Sequence, residues 1–229
     1  MRISSITLRN FKRFTDLQIS GIPKSAKLVV IVGPNGCGKS SLFDALLNWY
    51  RSRAGFGRHG DTAYYQKLPG ESFDWNQSVE VVLHDGAQPK KGSLYVRTAY
   101  RNDPDFSVDG INRPNNPSEG VRIERVIDND QTVSDNYRRL IYDTMAGVYN
   151  PNNDAKTVLM LREELIGRVR DSMKHVFGDL LLNSVSDPLG SGAFHFEKGQ
   201  AKAYHYKNLS GGEKAAFDLL LDLHVKRDF

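Results

Sequence analysis

The chain has 229 residues, of which 39% are hydrophobic and 25% are charged, with a formal net charge of +4 at pH 7. This composition is typical of one folded domain, or of one domain with two lobes, and it excludes repeat and low-complexity proteins. No apolar run reaches the roughly 18 residues that a membrane span needs, and a lone cysteine excludes an internal disulfide framework. We therefore expect a cytoplasmic protein with no membrane partner.

The charge is unevenly distributed along the chain. Residues 1–60 contain ten Lys or Arg and two Asp or Glu, so this segment carries +8 and the remainder −4. Part of the excess lies in the basic stretch Arg51–Arg58. Such a stretch contacts nucleic-acid phosphates in some proteins and is simply solvated in others. The sequence leaves both interpretations open.

The amino-terminal segment predicts two half-buried strands. Apolar residues alternate at Ile6 and Leu8, and again at Leu17 and Ile19. The turn between them contains two basic residues, Lys12 and Arg13. These are either a solvated pair in a charged hairpin or part of a binding site.

A phosphate-binding motif follows. Residues 33–40 match the pattern G-x-x-x-x-G-K-[ST] in full. The apolar run Lys27–Val32 predicts a buried parallel strand before it, and a helix is predicted from near Lys39 to about Tyr50. In this motif the lysine reaches the β- and γ-phosphates and the serine ligates Mg²⁺. The predicted ATP-binding residues are Gly33, Pro34, Asn35, Gly36, Cys37, Gly38, Lys39, Ser40 and Ser41, with Ser40 on the metal.

The middle of the chain predicts further strands and loops. Val79–His84, Ser93–Tyr100 and Val121–Asp128 are apolar-rich segments typical of strands, and residues 103–120, rich in Pro, Asn and Asp, predict a long exposed loop. Gln131 follows the last of these strands.

Residues 158–176 predict an amphipathic helix of about twenty residues, with a break at Gly167. The segment from Ala193 through Gly199 to Tyr206 predicts a hairpin.

A second motif, Leu209–Glu213, reads Leu-Ser-Gly-Gly-Glu and opens an amphipathic stretch. Ser210 with Glu213 three residues later satisfies the capping-box pattern of a helix start. A helix amino terminus with two glycines also forms an anion site. Ser210, Gly211 and Gly212 are therefore candidate phosphate contacts, and a plain capped helix is the alternative.

Together these motifs resemble the ABC-type ATPase heads of the SMC, RecF and OLD group. The resemblance rests on the Pro34-Asn35-Gly36 form of the phosphate loop, on Leu209–Glu213 and on Asn10–Phe14, and it covers about the first fifty and the last twenty-five residues. It implies that Lys12 or Arg13 approaches the nucleotide and that Ser210–Gly212 complete the site of a second protomer. The short helix at 158–176 favours a compact OLD-like or RecF-like head over a long coiled coil.

The same resemblance assigns a role to a glutamine between the lobes, whose amide oxygen meets Mg²⁺ and the attacking water. Gln131 is the candidate, as catalytic and metal-binding residue, with Lys39 as the second catalytic residue. Gln66, Gln77 and Gln88 compete with Gln131 for this role.

In that group the helix that begins at the Leu-Ser-Gly-Gly-Glu motif is called the signature helix, and an apolar strand ending in Asp-Glu, the Walker B motif, follows it. Leu219–Asp222 resembles it only superficially, since it lies inside the predicted helix. We therefore expect the sequence to be the front part of a longer protein, one that binds ATP more readily than it hydrolyses it.

The sequence thus predicts an α/β fold of P-loop NTPase type with a mixed β core, an antiparallel β lobe and a helical lobe. The predicted segments are 1–60 for the phosphate-loop core, 61–130 for the β lobe, 131–205 for the helical lobe and 206–229 for the signature helix. The resemblance implies an ATP-driven homodimer or higher oligomer that acts on DNA, with a nuclease domain or subunit, in repair or phage defence. Two alternatives are a non-hydrolysing nucleotide-gated module that regulates a nuclease, and a transporter-type ATPase subunit.

Overall fold

The computed structural model describes residues 1–58, 60–68, 73–98, 104–108, 110, 112, 115–116, 123–188, 190 and 192–226. The chain divides into two compact units, one formed by residues 1–100 and 123–129 and the other by residues 101–122 and 130–229. The helices and strands below are numbered in chain order.

A three-stranded antiparallel sheet forms the base of the first unit. Its strands are β1 (Ile3–Phe11), β2 (Phe14–Ile19) and β3 (Val79–Leu83), in the order β2-β1-β3. This confirms the predicted amino-terminal hairpin and the strand near residue 79. The apolar residues that alternate along β1 lie in the core, because successive side chains of a strand point to opposite faces.

Helix α1 (Lys39–Arg53) packs against this sheet, and two short helices, α2 (Thr62–Tyr65) and α3 (Trp75–Ser78), accompany it. The helix begins where the phosphate motif predicts and runs three residues beyond the predicted end. Buried apolar side chains from the sheet and the helices form one cluster: Ile6, Leu8, Phe11, Leu42, Ala45, Trp49, Tyr50, Tyr65, Val79 and Leu83.

The predicted buried strand at Lys27–Val32 is wrong. The segment pairs with no strand among the described residues, and most of its side chains face solvent, with Leu28 79% and Val32 83% exposed. Ile31 is half-buried and packs against the apolar cluster of the first unit. An apolar run of this kind becomes a buried strand only when neighbouring strands supply hydrogen bonds and cover both faces. Neither described sheet supplies those neighbours.

Two more predicted strands are wrong in their described parts. Residues 93–98 and 123–128 form bends, turns and extended chain without ladder pairing. At residues 123–128 the backbone is engaged elsewhere: the Asp128 carboxylate accepts the N–H groups of Glu124 and Arg125 at 2.9 and 2.8 Å. A backbone held by side chains does not join a sheet. The remaining predicted positions, 99–100 and 121–122, lie outside the described residues.

The second unit is a helical layer on a second antiparallel sheet. Its helices are α4 (Thr132–Val148), α5 (Val158–Phe177) and α6 (Gly211–Lys226). Its strands are β4 (Leu180–Val185), β5 (Phe194–Lys198) and β6 (Ala201–His205), in the order β4-β5-β6. The long amphipathic helix and the hairpin before the second motif are confirmed, and α5 continues unbroken through Gly167.

The core of the second unit includes a residue from the segment predicted to be an exposed loop. Phe106 is 6% exposed and its ring packs against those of Tyr137, Phe194 and Tyr206 at centroid distances of 5.0 to 5.3 Å. The described parts of 103–120 do lack regular structure. An irregular segment therefore contributes a core residue, which the polar composition of the segment did not predict.

The fold is α/β, and the described strands form two antiparallel sheets. The mixed β core and the four-part division into functional segments stay predictions. No helix in the described part of the chain has the length and apolar character to cross a membrane.

Gly192 gives a test of packing in the second unit. A Cβ added there would meet the Tyr137 hydroxyl and lie 2.6 Å from the Phe106 carbonyl oxygen. Because Tyr137 and Phe106 are both buried, neither can withdraw cheaply. We expect Gly192→Ala to lower the free energy of unfolding by about 1–3 kcal/mol, measured by urea denaturation.

The matched control is Gly167→Ala, since a Cβ at Gly167 meets only the Glu163 carboxylate at an ordinary 3.6 Å. It lies inside α5, so alanine should stabilise by about 0.5–1 kcal/mol. Equal urea midpoints for the two variants would contradict the packing described for Gly192.

Candidate nucleotide-binding site

The phosphate motif forms an exposed loop that leads directly into α1. Residues 33–37 are exposed, and Gly38, which precedes the helix, has a φ of 106°. No side chain among the described residues caps the amino end of α1, and its first turn contains no acidic residue. The first N–H groups of a helix have no partner within the helix. They are therefore free to bind an anion, and the positive end of the helix dipole favours one.

Lys39 lies across the loop. Its Nζ donates hydrogen bonds to the carbonyl oxygens of Gly33 and Pro34, at 2.7 and 2.8 Å. The side chain thus keeps its ammonium group over the concave side of its own loop, held by neutral acceptors. A phosphate oxygen is a stronger partner for an ammonium than a carbonyl oxygen. The residues present therefore fit a bound triphosphate. Ser40 is exposed beside them, whereas Ser41 is buried on the inner face of α1.

The β1–β2 turn packs against the end of the loop. A Cβ at Gly38 would lie 2.5 Å from Cζ of Phe14 and 3.2 Å from Cβ of Arg13. The positive φ and this close approach both require glycine at position 38. The turn that carries the two basic candidates is consequently a neighbour of the phosphate loop.

The two basic residues of the turn have different surroundings. Lys12 donates to Asp44 Oδ2 at 2.5 Å and lies 3.6 Å above the Tyr64 ring. Arg13 is exposed and makes no hydrogen bond or ion pair with the described residues. Lys12 is therefore already neutralised inside the first unit, while the charge of Arg13 remains available beside Gly38.

Asp44 is a buried residue next to the site that the motifs did not reveal. It lies one helical turn after Ser40, is 1% exposed, and accepts three hydrogen bonds. The donors are Lys12 Nζ, the Tyr64 hydroxyl at 3.1 Å and the Val126 N–H at 2.8 Å. A buried carboxylate with this many donors fixes the elements that supply them.

A sequence signal for this arrangement was available. Polar residues recur along α1 at three- and four-residue steps, which places them on one face of the helix. Arg51 continues the series, donating to the Ile123 carbonyl at 3.2 Å and to Glu124 Oε1 at 2.9 Å. The face is buried although it is polar, and its members are Ser41, Asp44, Asn48 and Arg51.

The two tyrosines beside Asp44 have raised pKa values. Burial raises the pKa of Tyr64 well above its usual range, and the Asp44 carboxylate raises it further. Burial likewise raises the pKa of Tyr65 to about 12, against an opposing effect of the Asn48 amide. Both phenols are therefore neutral hydrogen-bond donors at physiological pH.

The second motif forms a capped helix start. The Ser210 N–H donates to Glu213 Oε2 at 2.7 Å, and the Glu213 N–H donates to Ser210 Oγ at 3.3 Å. This reciprocal pair is the predicted capping box. Gly211 and Gly212 form the first turn of α6, and a Cβ at Gly212 would meet no atom within 4 Å. The space next to the Gly212 Cα is therefore open among the described residues.

A salt bridge ties this helix start to the hairpin before it. Lys198 Nζ, at the end of β5, lies 2.5 Å from Glu213 Oε1. The hydrogen bond from Lys198 holds the pKa of Glu213 below its ordinary value, although partial burial opposes the shift. Glu213 thus caps α6 and also holds the β5–β6 hairpin against the start of that helix.

The glutamine candidates occupy different settings. Gln131 immediately precedes α4 and is exposed, with no capping hydrogen bond from its side chain. Gln66 donates to the Leu68 carbonyl at 2.8 Å, Gln77 lies in α3, and Gln88 is exposed in the segment after β3. Gln131 belongs to the second unit, as do Ser210, Gly211 and Gly212, while the phosphate loop belongs to the first. The role of Gln131 stays a prediction.

Asp222, the acid of the superficial Walker B match, lies within α6 and is fully buried. Asn136 donates to its Oδ1 at 2.9 Å and Lys226 to its Oδ2 at 2.8 Å. The carboxylate therefore joins α6 to α4, as a helix residue and not as the end of a strand.

The loop, its lysine and the uncapped helix define the first unit as a P-loop nucleotide-binding domain. Residues 5–153 match the AAA domain family, so the chain belongs to that family. Membership makes it an ATP-binding, ATPase-like protein, and nucleotide and Mg²⁺ use are general in the family.

The chain is also similar to parts of several proteins named Chromosome partition protein Smc. It is 52% identical to that of Burkholderia pseudomallei over 46 residues, which is 20% of this chain and 4% of the relative. It is 34% identical to that of Methylococcus capsulatus over 102 residues, 42% of this chain and 8% of the relative. The chain thus spans less than a tenth of the length of these curated relatives.

The Lys198–Glu213 pair gives a pH-dependent prediction. Glu213→Gln keeps an acceptor for the Ser210 N–H but removes the charge. A pKa lowered by folding adds stability above the unfolded-state value of about 4.3, and that stability is lost as the pH falls through the lower folded-state value. We expect the parent to be more stable than the variant at neutral pH and to lose this advantage below about pH 4, measured by urea denaturation across pH. A difference that stays constant with pH would contradict the pair.

Proposed function

We propose that this chain is an ABC-type ATPase head that binds ATP and Mg²⁺ and dimerises when ATP is bound. The observation that carries the nucleotide part is the position of Lys39, with its ammonium group held over the phosphate loop by two backbone carbonyls at the uncapped start of α1. In this proposal ATP replaces those carbonyls as the partner of Lys39. Ser40 and Gln131 hold Mg²⁺, and Arg13 adds a positive charge from the neighbouring turn.

The dimerisation part rests on the second motif. The capping box holds the amino end of α6, whose first turn contains two glycines, and no described atom lies within 4 Å of a Cβ placed at Gly212. We propose that this end, with Ser210, Gly211 and Gly212, meets the γ-phosphate held by a second protomer. The N–H groups and the helix dipole then stabilise the charge of the phosphate.

Hydrolysis requires a water-activating carboxylate. In this proposal a further polypeptide segment supplies it as part of a strand that pairs with Lys27–Val32, whose exposed apolar side chains such a strand would cover. The resemblance to OLD and RecF heads suggests that the ATP cycle controls work on DNA in repair or phage defence. The similarity to Smc proteins supports a DNA-related role.

A second candidate is a non-hydrolysing, nucleotide-gated module that regulates a nuclease. It is favoured by Asp222, since the acid that mimics Walker B is buried in α6 and bonded to Asn136 and Lys226. Measurement of phosphate release separates the two candidates. The assay is run on this chain and on a longer polypeptide that includes the proposed carboxylate. Turnover by the longer polypeptide that is lost in Lys39→Ala supports an ATPase, and ATP-dependent dimerisation of both without turnover supports the gated module. A transporter-type subunit is the third alternative, and stable co-purification with a membrane protein would favour it.

The first test of the proposal concerns the phosphate loop. We expect Lys39→Ala to weaken ATP binding by at least about tenfold, because it removes the cation at the β- and γ-phosphates. Isothermal titration calorimetry with Mg²⁺-ATP measures the effect. Lys27→Ala is the matched control, since it removes the same charge from an exposed position before the loop. If the folded Lys39→Ala variant and this control bind ATP with equal affinity, the assignment of the phosphate loop as the ATP site is wrong.

The second test concerns the capped helix start. We expect Ser210→Arg to bind ATP normally but to remain monomeric with Mg²⁺-ATP, because its side chain fills the space proposed for the partner's phosphate. Loss of the cap costs about 1 kcal/mol, so folding is checked by circular dichroism. Ser210→Asp keeps a capping oxygen but repels phosphate, and it should give the same result.

Light scattering of the parent and both variants, with and without Mg²⁺-ATP, is the measurement. A parent that stays monomeric with ATP, or variants that dimerise as well as the parent, would contradict the proposed role of the second motif.

A further inference from the structure

A small pocket lies at the carboxyl end of α1, the end opposite the phosphate loop. It has a volume of about 20 Å³ and is lined by side chains from α1, from the residues that follow it and from α3. Lys39 and Arg53 are fourteen residues apart on one helix, so the pocket and the loop are separated by about 21 Å. The pocket is therefore a different site from the one proposed for ATP.

The polar lining consists mainly of hydrogen-bond donors. Arg53 and Arg58 both line the pocket, and none of the described residues that line it is acidic. Arg53 makes no hydrogen bond or ion pair with the described residues, whereas Arg58 donates to Ser52 Oγ at 2.9 Å and to Asn76 Oδ1 at 2.6 Å. These two bonds hold the Arg58 guanidinium, and since the group has five N–H donors, the described residues engage only some of them. Two like charges thus line one pocket, and the described part of its lining supplies no counter-charge.

Asn48 supplies an independent sign of a missing partner. It is 2% exposed and lines the pocket, and its Nδ2 has no hydrogen-bond partner in the part of the chain that the structure describes. The Asn48 amide lies near the Tyr65 hydroxyl and lowers its pKa, but no acceptor among the described residues lies within hydrogen-bonding geometry of Nδ2. A buried donor without an acceptor costs about 1–3 kcal/mol. An acceptor that entered the pocket would remove this cost.

We propose that the pocket binds an oxygen of a phosphodiester group in a nucleic-acid backbone. Two guanidinium groups and an amide N–H are the donors that proteins use for phosphate. The carboxyl end of α1 carries partial negative charge, so the arginines must outweigh it, and both are required.

The size of the pocket selects a polymer over a free nucleotide. A water molecule needs about 10–15 Å³ by the same measure, so the pocket admits one or two oxygen atoms and no sugar or base. The rest of the ligand must lie outside, along the surface around Trp75, which is half-buried at the pocket. A backbone phosphate meets these conditions because the chain continues on both sides of it.

The test is fluorescence anisotropy of a labelled DNA duplex of about 20 base pairs, titrated with the full chain at several salt concentrations. We expect Arg53→Ala/Arg58→Ala to weaken binding about tenfold at low salt. The slope of log K against log salt should fall by about 0.9, the value for one phosphate, although two charges are lost. Asn48→Asp should weaken binding as well, because its carboxylate occupies the arginines as an internal anion.

The matched controls remove the same charge elsewhere in the first unit. Lys24→Ala loses one exposed charge, and Arg9→Ala/Lys24→Ala loses two. Both arginines of the pocket are exposed, so their replacement leaves the core intact and the test stands even if Asn48→Asp fails to fold. Duplex affinities of the pocket variants equal to those of the controls would overturn the proposal.

Two further arms identify other ligands of the same chemistry. If inorganic phosphate raises the melting temperature of the parent but not of Asn48→Asp, while duplex binding is unchanged by the pocket variants, the pocket takes a free anion and the nucleic-acid proposal is wrong. Arginine-dependent binding to phosphatidylserine vesicles without duplex binding overturns it equally. Because ATP affinity depends on Lys39, it is measured separately and is expected to be normal in every pocket variant.

Discussion

The buried carboxylate of Asp44 is the interaction on which the first unit depends. It accepts hydrogen bonds from Lys12 in the β1–β2 turn, from the Tyr64 hydroxyl in α2 and from the Val126 N–H. A single group on α1 thus joins three segments that are distant in sequence. Removal of such an acceptor leaves its donors buried and unpaired, which costs more than a surface interaction would. The helix that begins in the phosphate loop is therefore positioned by its polar face as much as by its apolar one.

The two basic residues of the turn consequently differ in role. Lys12 neutralises Asp44 and stacks on Tyr64, so it stabilises the turn. Arg13 follows it in sequence, lies against Gly38 and keeps its charge exposed. The sequence left the choice between them open, because spacing does not reveal which of two adjacent cations has a buried counter-ion.

Local features were predictable from sequence and long-range ones were not. The glycine-rich loop, the start of α1 and the capping box at Ser210 follow from short-range chemistry. The failed strands at residues 93–98 and 123–128 depended on partners that a pattern cannot identify. At residues 123–128 the backbone instead bonds to two side chains of α1. Arg51 donates to the Ile123 carbonyl and Asp44 accepts the Val126 N–H, so these groups are not available to a neighbouring strand. The polar face of α1 could be recognised from the spacing of its residues. The sequence did not show that this face is buried, because a polar face of an amphipathic helix is usually exposed to solvent.

The exposed Lys27–Val32 segment has a practical consequence for anyone who handles the protein. Five consecutive β-branched or leucine residues with unpaired backbone are a template for edge-to-edge association between molecules. Lys24 and Lys27 precede the run, in the place where charged gatekeeper residues protect natural sequences from aggregation. Solubility of this chain should therefore fall when both lysines are neutralised together, and rise in the presence of a polypeptide that covers the run. The stretch that leads into the phosphate loop thus limits the concentration at which the chain stays dissolved.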